Sequence, residues 1–366
     1  MYGAWTKRVC GTVLAFLLCM VPAFASGADV VDTAGKSIDA PDNTITAAEN
    51  QPDKTDKTDE TRYLIPVGHT VGMKLFSKGV MVVKLVGGDT PAKACGLRIG
   101  DVITSCDGAP VTSAEQFQAL LSDDGDADLK IRRDGGEIVL NVTPERDDAG
   151  TCSIGAWVRD SMAGIGTLTW YDPENDTFGA LGHGVTDVDT GLLMPFQDGA
   201  ILPSRVKAIK KGEKGAAGEL RGDFDLSTDL GRLYANTNRG VFGVFYDDLI
   251  SDNANSANNA ILKHEPMAIG EPVKGPARIL TNISGNEIQE YDIEILKVEP
   301  NEINGRELVI AVTDPDLLDQ TGGIVQGMSG SPILQDNQFV GAVTHVLLQD
   351  PAKGYGISLN SMLKAA

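Results

Sequence analysis

The chain contains few of the residues on which several common protein functions depend. Its 366 residues include only 4 histidines and 5 cysteines, and 31 Lys and Arg face 51 Asp and Glu, for a formal net charge of -20. Nucleic acids and anionic membrane surfaces bind positive patches, so this balance predicts no nucleic-acid partner and no polybasic membrane contact. His and Cys nowhere show the spacing of a metal site, so neither a metal nor a cofactor is predicted.

The cysteines give no sign of a disulfide framework or of a thiol nucleophile. Cys10 and Cys19 fall in an apolar N-terminal segment, which leaves Cys95, Cys106 and Cys152, an odd number. A Cys95–Cys106 bridge is one interpretation, but both positions are apolar, which favours buried thiols. None of the cysteines lies in a glycine-rich turn beside a histidine.

Long amphipathic helices are also missing, whereas glycine is abundant at 42 residues. Short apolar runs recur between turns, a pattern that is typical of strands. The sequence therefore predicts a mainly β protein and argues against an α/β hydrolase, which needs alternating helices. The length is sufficient for two domains.

The N-terminus has the pattern of an export signal. Lys7 and Arg8 precede an apolar run, and Ala23-Phe24-Ala25 fits a cleavage site, so residues 1–28 are predicted to be a signal peptide or membrane anchor. Residues 29–62 are polar and rich in Asp, Thr and Lys, which predicts a flexible acidic and polar linker. The rest of the chain is expected to leave the cytoplasm.

Residues 63–147 are predicted to form a PDZ-like domain. Short strands are expected over 79–85, 128–132 and 137–142, with helices at 91–97 and 114–121, and the pattern Gly-Leu-x-x-Gly-Asp-x-Ile is similar to bacterial PDZ domains. Such domains bind a peptide or protein C-terminus as an added strand. The predicted carboxylate loop contains Gly68, His69, Val71 and Gly72. The alternative is a PDZ fold with no free groove that acts as a spacer or clamp.

The stretch 321–334 has the pattern of a nucleophilic serine. Ser329 lies between glycine-rich turns and an apolar strand, so its hydroxyl can project from a tight turn. The amides of Gly327 and Ser329 are the predicted oxyanion donors. The alternative is an ordinary Gly-Ser turn between strands.

A serine nucleophile needs a base, and His183 is the leading candidate. It follows Phe178-Gly179-Ala180-Leu181-Gly182 in a glycine-flanked turn, whereas His264 has the context of a surface loop and His345 lies in a strand. Because a single histidine is more often structural than catalytic, the sequence context alone favours His183 only slightly.

These motifs together resemble the stage IV sporulation protein B serine peptidase family. The similarity includes Gly179-Ala180-Leu181-Gly182-His183, the run 321–334 and the stretches 341–346 and 354–357, with a PDZ-like domain upstream. The resemblance implies a chymotrypsin-like double β-barrel over 148–366, with His183 as base and Ser329 as nucleophile.

The third member of the triad has several candidates. The resemblance implies Asp314, although an Asp-Pro step also commonly begins a turn. Other carboxylates are open alternatives: Asp187, Asp189, Asp223 and Asp225.

By analogy with trypsin-like chains, the strand after the nucleophile borders the primary specificity pocket. His345 is therefore predicted to lie in the substrate groove or the core. Gly354, Tyr355 and Gly356 are predicted to form the opposite wall of the groove.

The resemblance implies an exported, self-cleaving endopeptidase of sporulation signalling. It would act between the forespore and mother-cell membranes, secreted or anchored. Its substrate would be a membrane-bound regulator of a signalling protease, and the cut would activate processing of a late sigma-factor precursor. The alternatives are a PDZ-centred binding or scaffold protein with an inactive barrel, and a general quality-control protease.

Overall fold

The computed structural model describes residues 62–121, 125–146, 150–246, 264–300 and 305–366. The predicted signal or anchor segment and nearly all of the predicted linker lie outside these ranges. Within them, no helix has the length and apolar character needed to cross a membrane.

The described elements are mostly strands, as the sequence predicts. The strands are β1 Tyr63–Pro66, β2 Thr70–Leu85, β3 Val102–Cys106, β4 Ala109–Pro110, β5 Ala127–Arg133, β6 Gly136–Val142, β7 Glu145–Arg146, β8 Cys152–Ser153, β9 Ala156–Asp172, β10 Thr177–Ala180, β11 Asp198–Lys210, β12 Glu219–Phe224, β13 Gly231–Thr237, β14 Gly240–Phe245, β15 Met267–Ala268, β16 Gly275–Ser284, β17 Glu287–Val298, β18 Leu308–Val312, β19 Pro332–Gln335, β20 Gln338–Val346 and β21 Lys353–Ser358. The helices are α1 Pro91–Ala94, α2 Ala114–Leu120, α3 Pro315–Thr321 and α4 Leu359–Leu363.

The strands form two closed rings. In the first barrel the neighbours run β9, β10, β14, β13, β11 and β2, and the pairing of β2 with β9 closes the ring. The second barrel contains β16, β17, β18, β21, β20 and β19 in that order. The expected hairpin before His183 is present as β9 and β10. Strand pairing therefore confirms the predicted double β-barrel.

Each barrel has its own apolar core, and a third cluster joins the two. That cluster contains Trp170 and Phe242 from the first barrel and Leu280, Leu334 and Phe339 from the second. Fully burying side chains of this size stabilises the folded state by about 1.5–3 kcal/mol each. The interface between the barrels is therefore part of the folded core, and it fixes the loops that meet there.

The PDZ domain is inserted into the first barrel instead of preceding it. Strands β2 and β9 are long enough to belong to both units, and they stay paired from Thr70–Thr167 to Leu85–Ala156. Val71 and Leu75 pack in the barrel core, whereas Val80 on the same strand packs in the PDZ core. The remaining PDZ elements, β3 to β6 with α1 and α2, lie between these two strands in sequence.

This arrangement corrects the predicted boundaries of 63–147 and 148–366. Strand β1 and the first half of β2 pair with barrel strands β9 and β11, so residues 63–76 belong to the barrel. The alternation of apolar residues is the same in either sheet, and sequence alone could not locate the crossing point. The expected PDZ strands appear as the end of β2, β5 and β6, and Ser113 caps α2 as predicted.

Candidate active site

Ser329 lies in the loop between α3 and β19, at the junction of the two barrels. The loop contains four glycines with positive φ, and two of them flank the serine: Gly327 at φ 99° and Gly330 at φ 100°. The hydroxyl of the half-buried Ser329 donates a hydrogen bond of 2.5 Å to the carbonyl oxygen of Thr344 on β20. The amide of Gly330 donates to the carbonyl of Val343 on the same strand at 2.7 Å. Strand β20 therefore fixes both the side chain and the backbone of the loop.

The amides in this loop divide into two sets. Those of Gln326, Met328, Gly330 and Ser331 donate to backbone carbonyls. Among the hydrogen bonds of the described residues, the predicted oxyanion donors, the amides of Gly327 and Ser329, take no part. An oxyanion hole requires donors that are free to bind the charge that develops in the transition state. These two amides meet that requirement.

His183 lies in the turn after β10, on the first barrel. The turn is tight, with Leu181 at φ 68° and Gly182 at φ 69°. A side chain at Gly182 would approach Ile357 and Thr344 to 2.9 Å, so only glycine lets the turn pack this closely on the second barrel. The buried, left-handed Leu181 is a local strain of the kind that is concentrated at functional sites.

The hydrogen bond of His183 defines its tautomer. Nδ1 lies 2.7 Å from the carbonyl oxygen of Gly184, and because a carbonyl only accepts, Nδ1 must carry the proton. Nε2 is then a bare acceptor, and it is buried with no hydrogen-bond partner in the described part of the chain. Burial lowers the pKa of His183 below its usual value, although the bond to Gly184 opposes this shift. The ring is therefore neutral at neutral pH, as a general base must be.

A second histidine packs against the first. The ring centroids of His183 and His345 are 4.8 Å apart. Burial, the nearby His183 and the charge of Arg306 lower the pKa of His345 to about 2. His345 is therefore neutral throughout the physiological range and is a packing partner of His183, not a proton donor.

Strand β20 thus brings Ser329, His183 and His345 into one neighbourhood. Consecutive residues of that strand contact the loop of Ser329 and the ring of His183. Ser329 does not donate to His183 in this arrangement, because its hydroxyl is bonded to Thr344.

The carboxylate of Asp314 and the ring of His183 have different hydrogen-bond partners in this structure. Its carboxylate caps α3, accepting hydrogen bonds from the amides of Asp316 at 2.9 Å and Leu317 at 3.0 Å, and it also accepts from the amide of Asp292 at 3.3 Å. The structure therefore does not place Asp314 as the triad acid implied by the resemblance. Asp followed by Pro is a favourable start for a helix, and this explains its position.

The other carboxylates also have different partners. Asp187 is buried, accepts from Asp189 and Thr190, and forms an ion pair of 2.9 Å with Arg159. Within the described ranges, the remaining candidates contact residues other than His183. The pairs are Asp189 with Arg159, Asp223 with Lys207, and Asp225 with Ser227. The Gly184 carbonyl holds the position at Nδ1 that a triad carboxylate would take.

Substitutions of Asp314 show whether its carboxylate serves only as a helix cap or also takes part in catalysis. Asn caps helices about as well as Asp, so Asp314→Asn is expected to keep peptidase activity and to lose only the long bond from the Asp292 amide, whereas Asp314→Ala is expected to lose about 1 kcal/mol through loss of the cap. Urea unfolding and the rate of peptide cleavage measure the two effects. A large loss of activity in Asp314→Asn with unchanged stability would instead show that the carboxylate acts in catalysis, in a different arrangement of the loop.

The predicted groove residues divide into two half-buried side chains, His345 and Tyr355, and two glycines in packed backbone. His345 and Tyr355 are directly opposite each other on β20 and β21, and the guanidinium of Arg306 lies 5.4 Å from the centre of the Tyr355 ring. A side chain at Gly354 would meet the carbonyl of His345 at 2.3 Å, and one at Gly356 would meet that of Ala342 at 2.8 Å. The two glycines therefore permit close strand packing, and the ring of Tyr355 is the part of this wall that can face a substrate.

The predicted PDZ carboxylate loop is wrong. Gly68, His69, Val71 and Gly72 are buried in the first barrel. A side chain at Gly68 would contact Leu280 of the second barrel at 2.8 Å. These residues precede the point at which β2 enters the PDZ unit, so they cannot face a peptide bound there.

Among the described residues, the first half of β9 has one edge that no strand covers. Its first residues pair with β2 on one side, and β10 covers the other side only from Leu168 onward. Helix α2 lies beside this segment, with the amide of Ala114 bonded to Asp160 and the side chain of Gln118 bonded to the carbonyl of Cys152. Sequence reasoning missed this edge because it placed β9 wholly in the peptidase domain.

Comparison with known proteins identifies the two units. The profile of the SpoIVB peptidase S55 family matches residues 150–363, which is more than half of the chain. The chain belongs to this family. The PDZ domain profile matches residues 82–133, within the inserted unit. This S55 peptidase therefore combines a serine peptidase unit of that family with a PDZ domain, as the sequence motifs predict.

Individual relatives match only parts of the S55 peptidase. The Xenopus laevis protein named serine protease HTRA1 is 35% identical over 69 residues, which cover 19% of this chain and 15% of that protein. The PDZ domain of an SdrC-like protein from Listeria monocytogenes covers 22% of this chain and 87% of its own, at 26% identity and a TM-score of 0.21. The active form of the Rv3671c protease from M. tuberculosis covers 57% of this chain and 73% of its own, at 12% identity and a TM-score of 0.30.

Proposed function

We propose that this S55 peptidase is an exported, self-cleaving enzyme of sporulation signalling in which Ser329 is the nucleophile and His183 the base. Membership of the SpoIVB peptidase S55 family is the observation that carries the proposal. Two features of the site support the roles: the bare Nε2 of His183 and the two unbonded amides beside Ser329. Under the proposal, a membrane-bound regulator of a signalling protease is the substrate.

The reaction begins when the Ser329 hydroxyl turns from Thr344 toward His183. Nε2 accepts the hydroxyl proton as Oγ forms a bond to the scissile carbonyl carbon. The carbonyl π electrons move to its oxygen, and the amides of Gly327 and Ser329 bind the resulting oxyanion. Collapse breaks the bond to nitrogen, Nε2 returns its proton to the leaving amine, and water hydrolyses the acyl-enzyme by the same route.

The carbonyl of Gly184 replaces part of what a triad carboxylate provides. It selects the tautomer with the proton on Nδ1, which is the orientation that leaves Nε2 free to accept. A neutral carbonyl stabilises the imidazolium less than a carboxylate does, because it carries no full charge. A slow, selective enzyme is consistent with such a site, and slow turnover is sufficient for a signalling cut.

The proposed PDZ ligand is a peptide that adds as a strand to the β9 edge near Ala156–Asp160. Strand addition satisfies the backbone groups of an open edge and requires little from side chains. The bond from the Ala114 amide to the Asp160 side chain joins α2 to this segment, so a ligand would have to displace it. Under the proposal, only a partner that binds strongly enough to displace this contact is recruited.

Incubation of the full chain beside Ser329→Ala tests the proposal. Intact mass and N-terminal sequencing are expected to find fragments only in the wild type, and Ser329→Ala added to the wild type is expected to be cut in trans. Casein is expected to remain intact, because a signalling peptidase is selective.

Other results of the same experiment would favour one of the alternative functions. Broad digestion of casein would indicate a quality-control protease. Absence of fragments from both proteins, with no labelling of Ser329 by a fluorophosphonate probe, would indicate a binding protein with an inactive barrel. Fragments from both proteins would identify a contaminating protease and would contradict self-cleavage.

A further inference from the structure

We propose that Thr167 is a positioning residue for the peptidase reaction. It fixes the loop that carries Ser329 (the nucleophile loop) relative to the turn that carries His183 (the base turn). Thr167 lies on β9 and is completely buried. It is neither a nucleophile nor a base, and nothing in its sequence context, Gly166-Thr167-Leu168, distinguishes it from an ordinary strand residue. The inference rests on the proposed roles of Ser329, His183 and the Gly327 and Ser329 amides.

Thr167 contacts the nucleophile loop through two of its polar groups. Its hydroxyl donates to the carbonyl of Gly327 at 2.7 Å, across 160 residues of sequence. Its amide donates to the carbonyl of Ser329 at 3.1 Å. The peptide groups that follow Gly327 and Ser329 are therefore both fixed by a single residue.

Its third polar group contacts the base turn. The carbonyl of Thr167 accepts a hydrogen bond of 3.2 Å from the amide of Leu181, two residues before His183. The same carbonyl lies so close to Gly330 that a side chain there would meet it at 2.1 Å. All of the hydrogen-bonding groups of Thr167 are thus directed to the two turns that carry the proposed nucleophile and base.

Fixing these carbonyls has a consequence for the oxyanion donors. Gly327 lacks a side chain, so its φ and ψ angles are weakly restricted. The orientation of the neighbouring peptide groups therefore depends on their hydrogen-bond partners. Rotation of the peptide after Gly327 would also change the path of the chain to the Ser329 amide. With the Thr167 bonds in place, the peptide groups on both sides of the one that contains the Ser329 amide are fixed, and so is the peptide group next to that of the Gly327 amide. Oxyanion stabilisation requires this preorganisation.

The substitution that tests the proposal is Thr167→Val in the full chain. Valine keeps the shape and the two backbone bonds and removes only the bond to Gly327. The rate constant for labelling Ser329 with a fluorophosphonate probe and the kcat of cleavage are each expected to fall by about 100-fold, with KM within about 2-fold, because a small misplacement of catalytic groups can cost that much. Thr167→Ser restores the hydroxyl and is expected to recover activity to within about 3-fold of wild type.

Thr169 provides a matched control on the same strand. It is also a buried threonine, but its hydroxyl has no hydrogen-bond partner in the described residues. Thr169→Val is therefore expected to leave labelling and kcat unchanged, since it makes the same chemical change without removing a bond. Melting temperature and near-UV circular dichroism show whether each variant is folded, and rates are normalised to the folded fraction.

The outcomes distinguish this proposal from the proposed function. If Thr167→Val labels and cleaves at the wild-type rate while Ser329→Ala is inert, the positioning role is overturned and the peptidase mechanism stands. Equal losses in Thr167→Val and Thr169→Val would also overturn it, because they would reflect general damage to the strand. If wild type and Ser329→Ala are equally inactive, the proposed function itself has failed. Loss confined to Thr167→Val and recovery in Thr167→Ser support the role.

Discussion

Gly330→Ala is expected to abolish peptidase activity and to destabilise the protein by about 3 kcal/mol or more. Gly330 has a φ of 100°, a backbone conformation that is unfavourable for residues with a Cβ. An added Cβ would also lie 2.1 Å from the carbonyl oxygen of Thr167 and 2.7 Å from the amide nitrogen of Leu181. Both neighbours are backbone atoms, so no side-chain rotation relieves the clash. The loop of Ser329 must therefore move away from both β9 and the turn that carries His183.

Gly215→Ala is the matched control for the backbone strain. Gly215 has a φ of 86°, but no atom lies within 4 Å of the position that its Cβ would take. The Gly215→Ala variant is expected to lose only about 1–2 kcal/mol of unfolding free energy and to keep full activity. Urea unfolding and fluorophosphonate labelling measure the two effects. If Gly330→Ala were no worse than Gly215→Ala, the close packing of the nucleophile loop on Thr167 would not exist in solution.

His183→Ala is expected to lower kcat/KM for peptide cleavage by about 1000-fold or more while the protein stays folded. The reason is chemical: Nε2 is the bare acceptor that would take the Ser329 proton, and the low pKa keeps it available at neutral pH. Because the neutral form is the active one, a lowered pKa also keeps the wild type active at pH values where an ordinary histidine is mostly protonated. The acid side of the wild-type pH profile is therefore expected to have its midpoint below about 6.5.

His345→Gln serves as the comparison, since it alters the other member of the histidine pair. With a pKa of about 2, His345 cannot exchange protons usefully near neutrality. A loss of less than about 10-fold is expected, from weaker packing on the His183 ring. Near-equal losses in both variants would contradict the assignment of His183 as sole base. A wild-type midpoint above 6.5 would contradict the buried, neutral state of His183.

The sequence predicted the parts of the site that depend on local chain geometry. The turns that carry Ser329 and His183 are rich in glycine because the backbone there is left-handed or tightly packed, and such turns leave a readable pattern. The hairpin before His183 and the caps of the helices followed from similar local rules. The mainly β class followed from short apolar runs between turns.

What the sequence did not predict depends on partners that are distant in the chain. Thr167 contacts Gly327 across 160 residues, and no local pattern marks such a pair. Thr344 accepts the Ser329 hydroxyl through its backbone, which any residue type could provide. Asp314 was assigned from resemblance, whereas its local context, Asp before Pro, already favoured the helix cap that the structure shows. The predicted PDZ loop is misplaced because β2 belongs to both units, and its alternation of apolar residues is the same in each.

The insertion of the PDZ unit between β2 and β9 determines how it can be removed. Truncation from the N-terminus would take barrel strands with it, since β1 and the first half of β2 line the first barrel. Phe76 and Ser161 face each other in the ladder at the point where the strands leave the barrel. A two-residue hairpin turn joining them would excise the PDZ unit and leave the ring of six strands closed. The PDZ unit is thus the tip of a long hairpin, and its twist is continuous with the strand that carries Thr167.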